Sequence, residues 1–206
     1  GGNRILSFSP ELFLSKTGIS ILTKPMKGTL SSREHSIQDL KNDKKNRAEN
    51  VMIVDLLRND LSRISKVGSV RTPQLFEVEN VGDILQMTSS VTSEISPDIT
   101  ITDLLRATFP CGSITGAPKK STMEIISELE HSGRGIYCGS LGWFDAVTSG
   151  NKSFADFTLN VAIRTLEIDS KNNFSFGVGS GVTIDSNSQA EWNECLLKSN
   201  FFVKLP

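Results

Sequence analysis

Three charged side chains near the end of the chain have the spacing of one helix face. Glu191, Glu194 and Lys198 follow one another at steps of three and four residues, which places them on the same side of an α-helix. One interpretation is a solvated face with a Glu–Lys pair worth about 0.3 kcal/mol. The other is a magnesium site, because Mg²⁺ takes one or two carboxylates and completes its shell with water and ligand oxygens.

Such a metal site needs a further acid from another element, and a long helical segment offers three. Glu49, Asp55 and Asp60 lie in the stretch 40–64, which contains neither Pro nor Gly. Its apolar residues recur at steps of three and four, which predicts an amphipathic helix. Spacing alone does not choose among the three acids, and Glu49 is one candidate.

Two glycine-rich segments could hold an anion. Gly177, Gly179 and Gly181 follow a predicted strand, but their spacing is not that of a dinucleotide-binding loop, and the next residues read as further strand. They indicate either a bulged strand or a close backbone approach to a ligand carboxylate. The segment 112–119 precedes a predicted helix, where Ser113 could cap the helix or help to bind an anion.

Lys27 is a candidate nucleophile. It lies between Pro25 and Gly28 in a segment that we predict to be a loop. Most loop lysines are solvated, whereas a desolvated lysine amine that has lost its proton can attack a substrate. The neighbouring residues do not decide between these two roles.

The elements that must position these residues form clusters of strands and clusters of helices, which favours an α+β fold over a doubly wound sheet. The predicted strands are 4–9, 12–15, 18–24, 70–79, 85–95, 136–147, 154–166 and 174–178. The predicted helices are 40–64, 101–108, a helix that begins near residue 118, and 190–203.

Composition narrows the class of protein. The chain has 206 residues and a net charge of −1, so it offers no electrostatic reason to expect nucleic acid or an anionic membrane as partner. No apolar run approaches the ~20 residues of a membrane-spanning helix. Cys111, Cys138 and Cys195 are far apart and odd in number, so we expect reduced thiols in a cytoplasmic protein.

Seven short motifs, each weak alone, follow one another along the chain. They are SPE at 9–11, PMKGT at 25–29, RAEN at 47–50, DLLRND at 55–60, SITGAPK at 113–119, IRT at 163–165 and AEWNE at 190–194. In this order they resemble the chorismate-binding enzymes, a family that includes anthranilate, isochorismate and salicylate synthases. The resemblance runs from about Ser7 to Lys198.

The resemblance implies a fold and an activity. The fold is an antiparallel β-sandwich with peripheral helices, of which residues 1–206 would form the C-terminal, catalytic part while the N-terminal part is absent. Lys27 stands where anthranilate synthases typically have alanine. Members with lysine at this position aminate chorismate at C4, giving 4-amino-4-deoxychorismate on the route to p-aminobenzoate and folate. Their ammonia comes from a glutamine amidotransferase subunit.

The resemblance also implies catalytic and metal-binding roles. Lys27 would attack C2 of chorismate as the C4 hydroxyl leaves, and ammonia would then displace the lysine and place the amine at C4. Glu11 would protonate the departing hydroxyl, which suits a carboxyl with a raised pKa. Glu49 and Glu194, supported by Glu191, would hold Mg²⁺.

A further set of residues would bind the substrate. Arg164 would grip the enolpyruvyl carboxylate, because a guanidinium matches two oxygens. Gln86 departs from the family, which usually has histidine here; glutamine can form hydrogen bonds but cannot exchange a proton near pH 7. The complete set is Gly28, Thr29, Gln86, Ser113, Tyr137, Arg164, Gly179, Gly181 and Lys198.

Two alternatives to C4 amination stay open. The first is component I of an anthranilate synthase, which aminates C2 and eliminates pyruvate, and Lys27 argues against it. The second belongs to another class of protein: a non-catalytic fragment that docks an amidotransferase or only binds a ligand. Isochorismate synthesis is disfavoured, because its water-activating lysine is expected in the absent part.

Overall fold

The computed structural model describes residues 2–146 and 154–203. Its strands are β1 Arg4–Ser7, β2 Leu12–Thr17, β3 Ser20–Lys24, β4 Met26–Ser31, β5 Arg71–Val81, β6 Ile84–Glu94, β7 Ser140–Phe144, β8 Phe157–Val161, β9 Thr165–Ile168 and β10 Phe174–Phe176. Its helices are α1 Ile37–Asn42, α2 Lys44–Ser62, α3 Ile101–Thr108, α4 Gly112–Thr115, α5 Lys119–Leu129 and α6 Ser188–Val203.

The described strands form two antiparallel sheets. The larger has seven strands, in which β3 and β4 both pair with one edge of β6 while β5 pairs with the other edge. Strands β2, β8 and β7 continue this sheet beyond β3. The smaller sheet has the order β1-β9-β10. The prediction of an α+β fold with antiparallel sheets is confirmed.

Helix α2 covers the larger sheet and shares its core. Ile53, Leu57 and Leu61, at the four-residue steps of one helix face, are at most 2% exposed. They belong to one buried cluster with Phe13 of β2 and Phe157 of β8. The core therefore fixes α2 against the strands that carry the candidate site.

The predicted helix 40–64 is in fact two helices. Asp43 has extended backbone dihedrals (φ −66°, ψ 115°), and its side chain accepts a hydrogen bond from the backbone N–H of Asn46. It thus ends α1 and caps α2, as aspartate often does at a helix N-terminus. The prediction missed this cap because the stretch lacks the Pro and Gly that usually mark a break.

Two further predictions were wrong. Lys27 lies in strand β4 rather than in a loop, because Pro25 interrupts only one ladder bond and its carbonyl accepts from the backbone N–H of Ser89 on β6. Residues 177–183 contain no strand, so the predicted continuation beyond the glycines does not form. The predicted strand 154–166 is divided between β8 and β9, and the end of 136–147 falls outside the described residues.

The cysteines behave as predicted. All three are free thiols, and Cys111 and Cys138 are buried. Burial raises the pKa of the Cys111 thiol to about 12, so this side chain stays protonated and packs as a small hydrophobe. Within 2–146 and 154–203, no helix combines the length and apolar character needed to cross a membrane.

We expect Leu57→Ala to lower the free energy of unfolding by about 3 kcal/mol, since it leaves a cavity between α2 and the sheet. Met52→Ala on the same helix is the matched control, because Met52 is 44% exposed. Chemical denaturation monitored by circular dichroism measures both. Equal losses in the two variants would contradict the assignment of this core.

Candidate active site

Lys27 and Ser113 meet across the interface between β4 and the short helix α4. The Lys27 ammonium Nζ donates a hydrogen bond to the backbone carbonyl of Ser113 at 3.2 Å. Gly28 follows with φ +88°, a conformation that favours glycine, and the Asn46 side chain lies 3.0 Å from where a Cβ would stand. The side chain of residue 27 is therefore half-buried and directed towards α4.

Glu11 completes this contact. It lies just before β2, is 4% exposed, and interacts with the Ser113 hydroxyl and with the Lys27 charge. Burial raises the pKa of the Glu11 carboxyl above its ordinary value, although Ser113 and Lys27 act in the opposite direction. Its Oε1 atom is buried and accepts no hydrogen bond from a described residue. A buried carboxyl of this kind suits a general acid.

Helix α4 can deliver Ser113 because it lies directly on α2. A Cβ added to Gly112 would stand only 2.3 Å from Cδ2 of Leu56, so the backbone at residue 112 packs against the helix without space for a side chain. The Ser113 hydroxyl also contacts the Cys111 sulfur at 3.2 Å. Ser113 is thereby fixed between the two catalytic candidates.

The glycine-rich loop 177–181 packs on Tyr137. A Cβ at Gly177 would stand 2.2 Å from Cγ of Tyr137, and one at Gly179 would stand 2.7 Å from its hydroxyl oxygen. The Tyr137 side chain thus leaves no space for a larger residue at either glycine. Gly181 has a different neighbour, because its Cβ would stand 3.9 Å from Nζ of Lys27. The loop consequently joins Tyr137 to the Lys27 end of the site.

Arg164 lies beside the beginning of this loop. In the antiparallel register of β9 and β10, Phe176 is opposite Leu166, so the residues after Phe176 run alongside those before Leu166. Arg164 has φ +48° and is half-buried, and burial lowers the pKa of its guanidinium. An arginine at this position can meet a ligand carboxylate held over the loop.

Helix α6 brings its charged face to the same loop. Lys198 Nζ donates to the carbonyl of Gly179 at 2.9 Å and pairs with Oε1 of Glu194 at 2.6 Å. Glu191 Oε1 accepts from the Ser186 hydroxyl at 2.8 Å, while its buried Oε2 is among the described polar atoms with no hydrogen-bond partner. Hydrogen bonds from Ser180 and Ser186 lower the pKa of Glu191.

The three acids of α2 that could complete a metal site have different ion-pair partners. Glu49 is partly buried and lies 4.0 Å from Lys45, whose charge also acts on Glu191. Asp55, by contrast, pairs with Arg58 in solvent, and Asp60 is buried in another ion pair. Of the three acids that spacing left open, Glu49 is thus the one connected by a shared lysine to α6.

The chain is similar to known proteins both in sequence and in structure. The sequence profile described as chorismate binding enzyme matches residues 1–204. The chain is 42% identical over 206 residues to aminodeoxychorismate synthase component 1 of Escherichia coli (strain K12), covering 97% of this chain and 44% of that protein. This chain belongs to the chorismate-binding enzyme family.

Other members are similar over the same length. Anthranilate synthase component 1 3 of Haloarcula marismortui is 40% identical, covering 98% of this chain and 40% of that protein. The crystal structure of anthranilate synthase component I from Streptococcus pneumoniae TIGR4 superposes with a TM-score of 0.84 at 34% identity, covering 97% of this chain and 43% of that one. The chain therefore spans less than half the length of the relatives it matches.

The metal-binding prediction can be compared with the positions of the acids in the structure. No three His, Cys, Asp or Glu side chains among residues 2–146 and 154–203 lie close enough to share a metal ion. Lys45 and Lys198 instead pair with Glu49 and Glu194. The carboxylate chemistry and the orphaned Glu191 Oε2 fit a cation that needs only one or two protein ligands, as Mg²⁺ does.

The remaining substrate-binding candidates lie on neighbouring strands. Gln86 of β6 is opposite Thr29 of β4 in the antiparallel register, two residues from Lys27. Gln86 is 7% exposed, so its amide is presented from within the sheet. The family-derived set is thus distributed over β4, β6, α4, the Tyr137 turn, the segment between β8 and β9 that carries Arg164, the glycine loop and α6.

One buried ion pair could not be predicted from the sequence. Lys119 Nζ lies 2.6 Å from Oδ2 of Asp60, and both side chains are largely buried. The motifs around both residues carried the family resemblance, but nothing in their spacing indicated that they pair. A cavity of about 640 Å³ opens beside this pair, and its lining includes Asp60 but neither Lys27 nor Glu11.

We expect Gly177→Ala to displace Tyr137, because the new Cβ overlaps its ring. Burial raises the pKa of the Tyr137 phenol above its ordinary value of 10, so the substitution should let it ionise at lower pH. Tyr137 is the only tyrosine of the chain, so alkaline difference absorbance reports it alone.

Gly133→Ala is the matched control for this titration, since a Cβ there meets no atom within 4 Å. Its tyrosine titration should coincide with that of the unsubstituted chain. A Gly177→Ala curve that also coincides would contradict the close packing of Tyr137 on the loop.

Proposed function

We propose that this chain forms the catalytic part of an enzyme that aminates chorismate at C4, producing 4-amino-4-deoxychorismate. The observation that carries the proposal is that Ser113 accepts a hydrogen bond from the Lys27 amine and also interacts with the buried Glu11 carboxyl. The relatives named aminodeoxychorismate synthase component 1 support it.

The contact supports a two-step displacement. The unprotonated Lys27 amine attacks C2, both conjugated double bonds of the ring shift towards C4, and the C4 hydroxyl leaves as water with the proton that Glu11 donates. Ammonia then attacks C4, both double bonds shift back, and the Lys27 amine leaves C2, while a proton of the new ammonium group returns to Glu11. Lys27 is thereby regenerated, and the net reaction exchanges the C4 hydroxyl for an amine with release of water.

Burial shifts Glu11 towards the protonated form that this step needs. Desolvation raises the pKa of its carboxyl, which lets the acid keep a proton for the leaving hydroxyl. The unpartnered Oε1 atom is available to a ligand. Lys27 comes from β4, which is separated from β2 by β6 and β3 in the sheet order, and its amine donates to the carbonyl of Ser113.

The surrounding residues would hold the two carboxylates of chorismate. We assign the enolpyruvyl carboxylate to Arg164, with Tyr137 and the backbone amides of Gly179 and Gly181 beside it. We assign the ring carboxylate to the Ser113 end, with Lys198 as a second cation. Gly28, Thr29 and Gln86 would line the wall formed by β4 and β6.

A magnesium ion belongs to this proposal. Glu49 and Glu194, with Glu191 directly or through water, would hold Mg²⁺, which supplies positive charge near the ring carboxylate. The orphaned Oε2 of Glu191 and the carboxylate character of the set support this assignment. Lys45 and Lys198 would then have to give up part of their pairing with these acids.

The context of the reaction follows from the relatives. A glutamine amidotransferase subunit would supply ammonia, in keeping with the name component 1, and the product would lead to p-aminobenzoate and folate. We further propose that residues 1–206 are the C-terminal part of a longer chorismate-binding domain, because they span 44% of a relative. The three free cysteines are in keeping with the cytoplasm.

Product analysis tests the proposal directly. Purified protein is incubated with chorismate, Mg²⁺ and ammonium, and the products are separated by liquid chromatography and mass spectrometry. We expect aminodeoxychorismate, and we expect Lys27→Ala to reduce its formation by about a hundredfold or more because the nucleophile is lost. Lys171→Ala, in the exposed turn between β9 and β10, is the matched control and should behave like the unsubstituted chain.

Other products would select other functions. Anthranilate as product would identify the second candidate function, the C2 amination that anthranilate synthases perform. The similarity of the chain to anthranilate synthases supports this candidate. Binding of chorismate without turnover would indicate a ligand-binding fragment. Full activity in Lys27→Ala would remove the covalent role of this lysine.

A further inference from the structure

The loop 109–118, which carries Ser113, is closed at its base by one buried ion pair. Lys119 Nζ lies 2.6 Å from Oδ2 of Asp60 and donates to the carbonyl of Thr108 at 3.0 Å. Thr108 and Lys119 are the residues on either side of the loop, so one ammonium joins its two ends. Asp60, on α2, anchors this closure and is only 2% exposed.

A second cation reinforces the closure from the other side. The Arg63 guanidinium donates to Oδ1 of Asp60 at 2.6 Å and to the carbonyl of Ala107 at 2.5 Å. Both oxygens of the Asp60 carboxylate are thus bonded, and each cation also reaches a carbonyl at the end of α3. A buried carboxylate with two charge-assisted bonds holds its partners in one geometry.

The loop closed in this way carries only one residue that touches both catalytic candidates. Ser113 accepts from Lys27 through its carbonyl and interacts with Glu11 through its hydroxyl. Displacement of the loop would move both contacts together. A shift of about 1 Å in a supporting element can lower a rate about a hundredfold, because reacting groups leave their productive geometry.

We propose that Lys119 and Asp60 are positioning residues, which close the loop 109–118 so that Ser113 aligns the Lys27 amine and the Glu11 carboxyl. This inference rests on the proposed function for its catalytic consequence. It assigns no contact between Lys119 or Asp60 and the substrate. Their effect on the reaction is transmitted through Ser113.

Lys119→Met tests this role without leaving a buried charge alone. The variant loses both bonds across the loop base, while Arg63 continues to neutralise Asp60. We expect kcat to fall by about tenfold or more in the folded protein. Lys119→Arg keeps a cation and donors at this position and should recover most of the activity.

Lys120→Met is the matched control, because this neighbouring lysine is 90% exposed and lies 4.0 Å from Glu124. Its kcat should equal that of the unsubstituted protein. A merely structural contribution of Lys119 would lower the folded fraction, as measured by thermal denaturation, without changing the kcat of the folded molecules.

Amine labelling gives a readout that does not depend on turnover. Acylation of individual lysines, followed by mass spectrometry, should proceed severalfold faster at Lys27 in Lys119→Met, because its carbonyl partner has moved. Lys16 is the internal reference, since its side chain is fully buried against Asp156 and reacts only when the whole fold opens. We expect its labelling rate to stay unchanged.

The outcomes separate this inference from the proposed function. If the unsubstituted protein does not consume chorismate, the proposed function fails and the labelling of Lys27 still decides whether the loop is positioned by Lys119. Unchanged labelling at Lys27, or equal increases at Lys27 and Lys16, overturns the inference. So does a kcat for Lys119→Met that equals that of Lys120→Met.

Discussion

The contact between Ser113 and the pair Lys27–Glu11 is the interaction on which the candidate site depends. An amine and a carboxyl that met directly in solvent would form an ion pair, with both groups charged and neither suited to its role. Here a backbone carbonyl takes the Lys27 hydrogen bond, and desolvation disfavours the charged form of Glu11. Both groups therefore interact with Ser113, and the Lys27 amine donates its hydrogen bond to a neutral carbonyl rather than to the Glu11 carboxylate.

Maintaining this contact requires three parts of the fold at once. The hydrophobic core fixes α2 against the larger sheet, and α2 in turn supports α4 through the close packing of Leu56 on Gly112. Strand β4 supplies Lys27, while the segment before β2 supplies Glu11. The glycine loop and α6 then bring cationic and amide groups to the same end. A buried acid without a strong ion pair costs stability, and the extensive core offsets that cost.

The sequence predicted local structure where local signals are strong. Helix α3 was placed correctly, because the Thr100 capping box and the apolar spacing agree. Strand β4 was missed because Pro25 and Gly28 suggested a loop, whereas pairing with β6 outweighs these local preferences. The strand predicted beyond Gly181 does not form. For β4, a distant partner rather than the segment itself thus determines the backbone.

The site itself could be predicted only in part. Lys27, Glu11 and the acids of α6 were proposed from the family resemblance alone, and the sequence suggested a close backbone approach at the glycines. The neighbour of Gly177 and Gly179 is the Tyr137 ring, 40 or so residues earlier, and no periodicity links them. The pairing of Lys119 with Asp60 likewise joins residues 59 positions apart. Such contacts arise from tertiary packing, which the spacing of residues along one element does not reveal.

The most direct test of the central contact is the titration of Glu11 in the presence and absence of Lys27. Carboxyl-carbon NMR of isotope-labelled protein follows the titration, with Glu11→Gln to assign the signal. The midpoint should lie above the ordinary 4.5 in the unsubstituted chain, because burial raises the pKa. It should lie higher still in Lys27→Met, because the amine no longer favours the carboxylate. Identical midpoints in the two proteins, or a midpoint at the ordinary value, would show that these groups do not share a buried site.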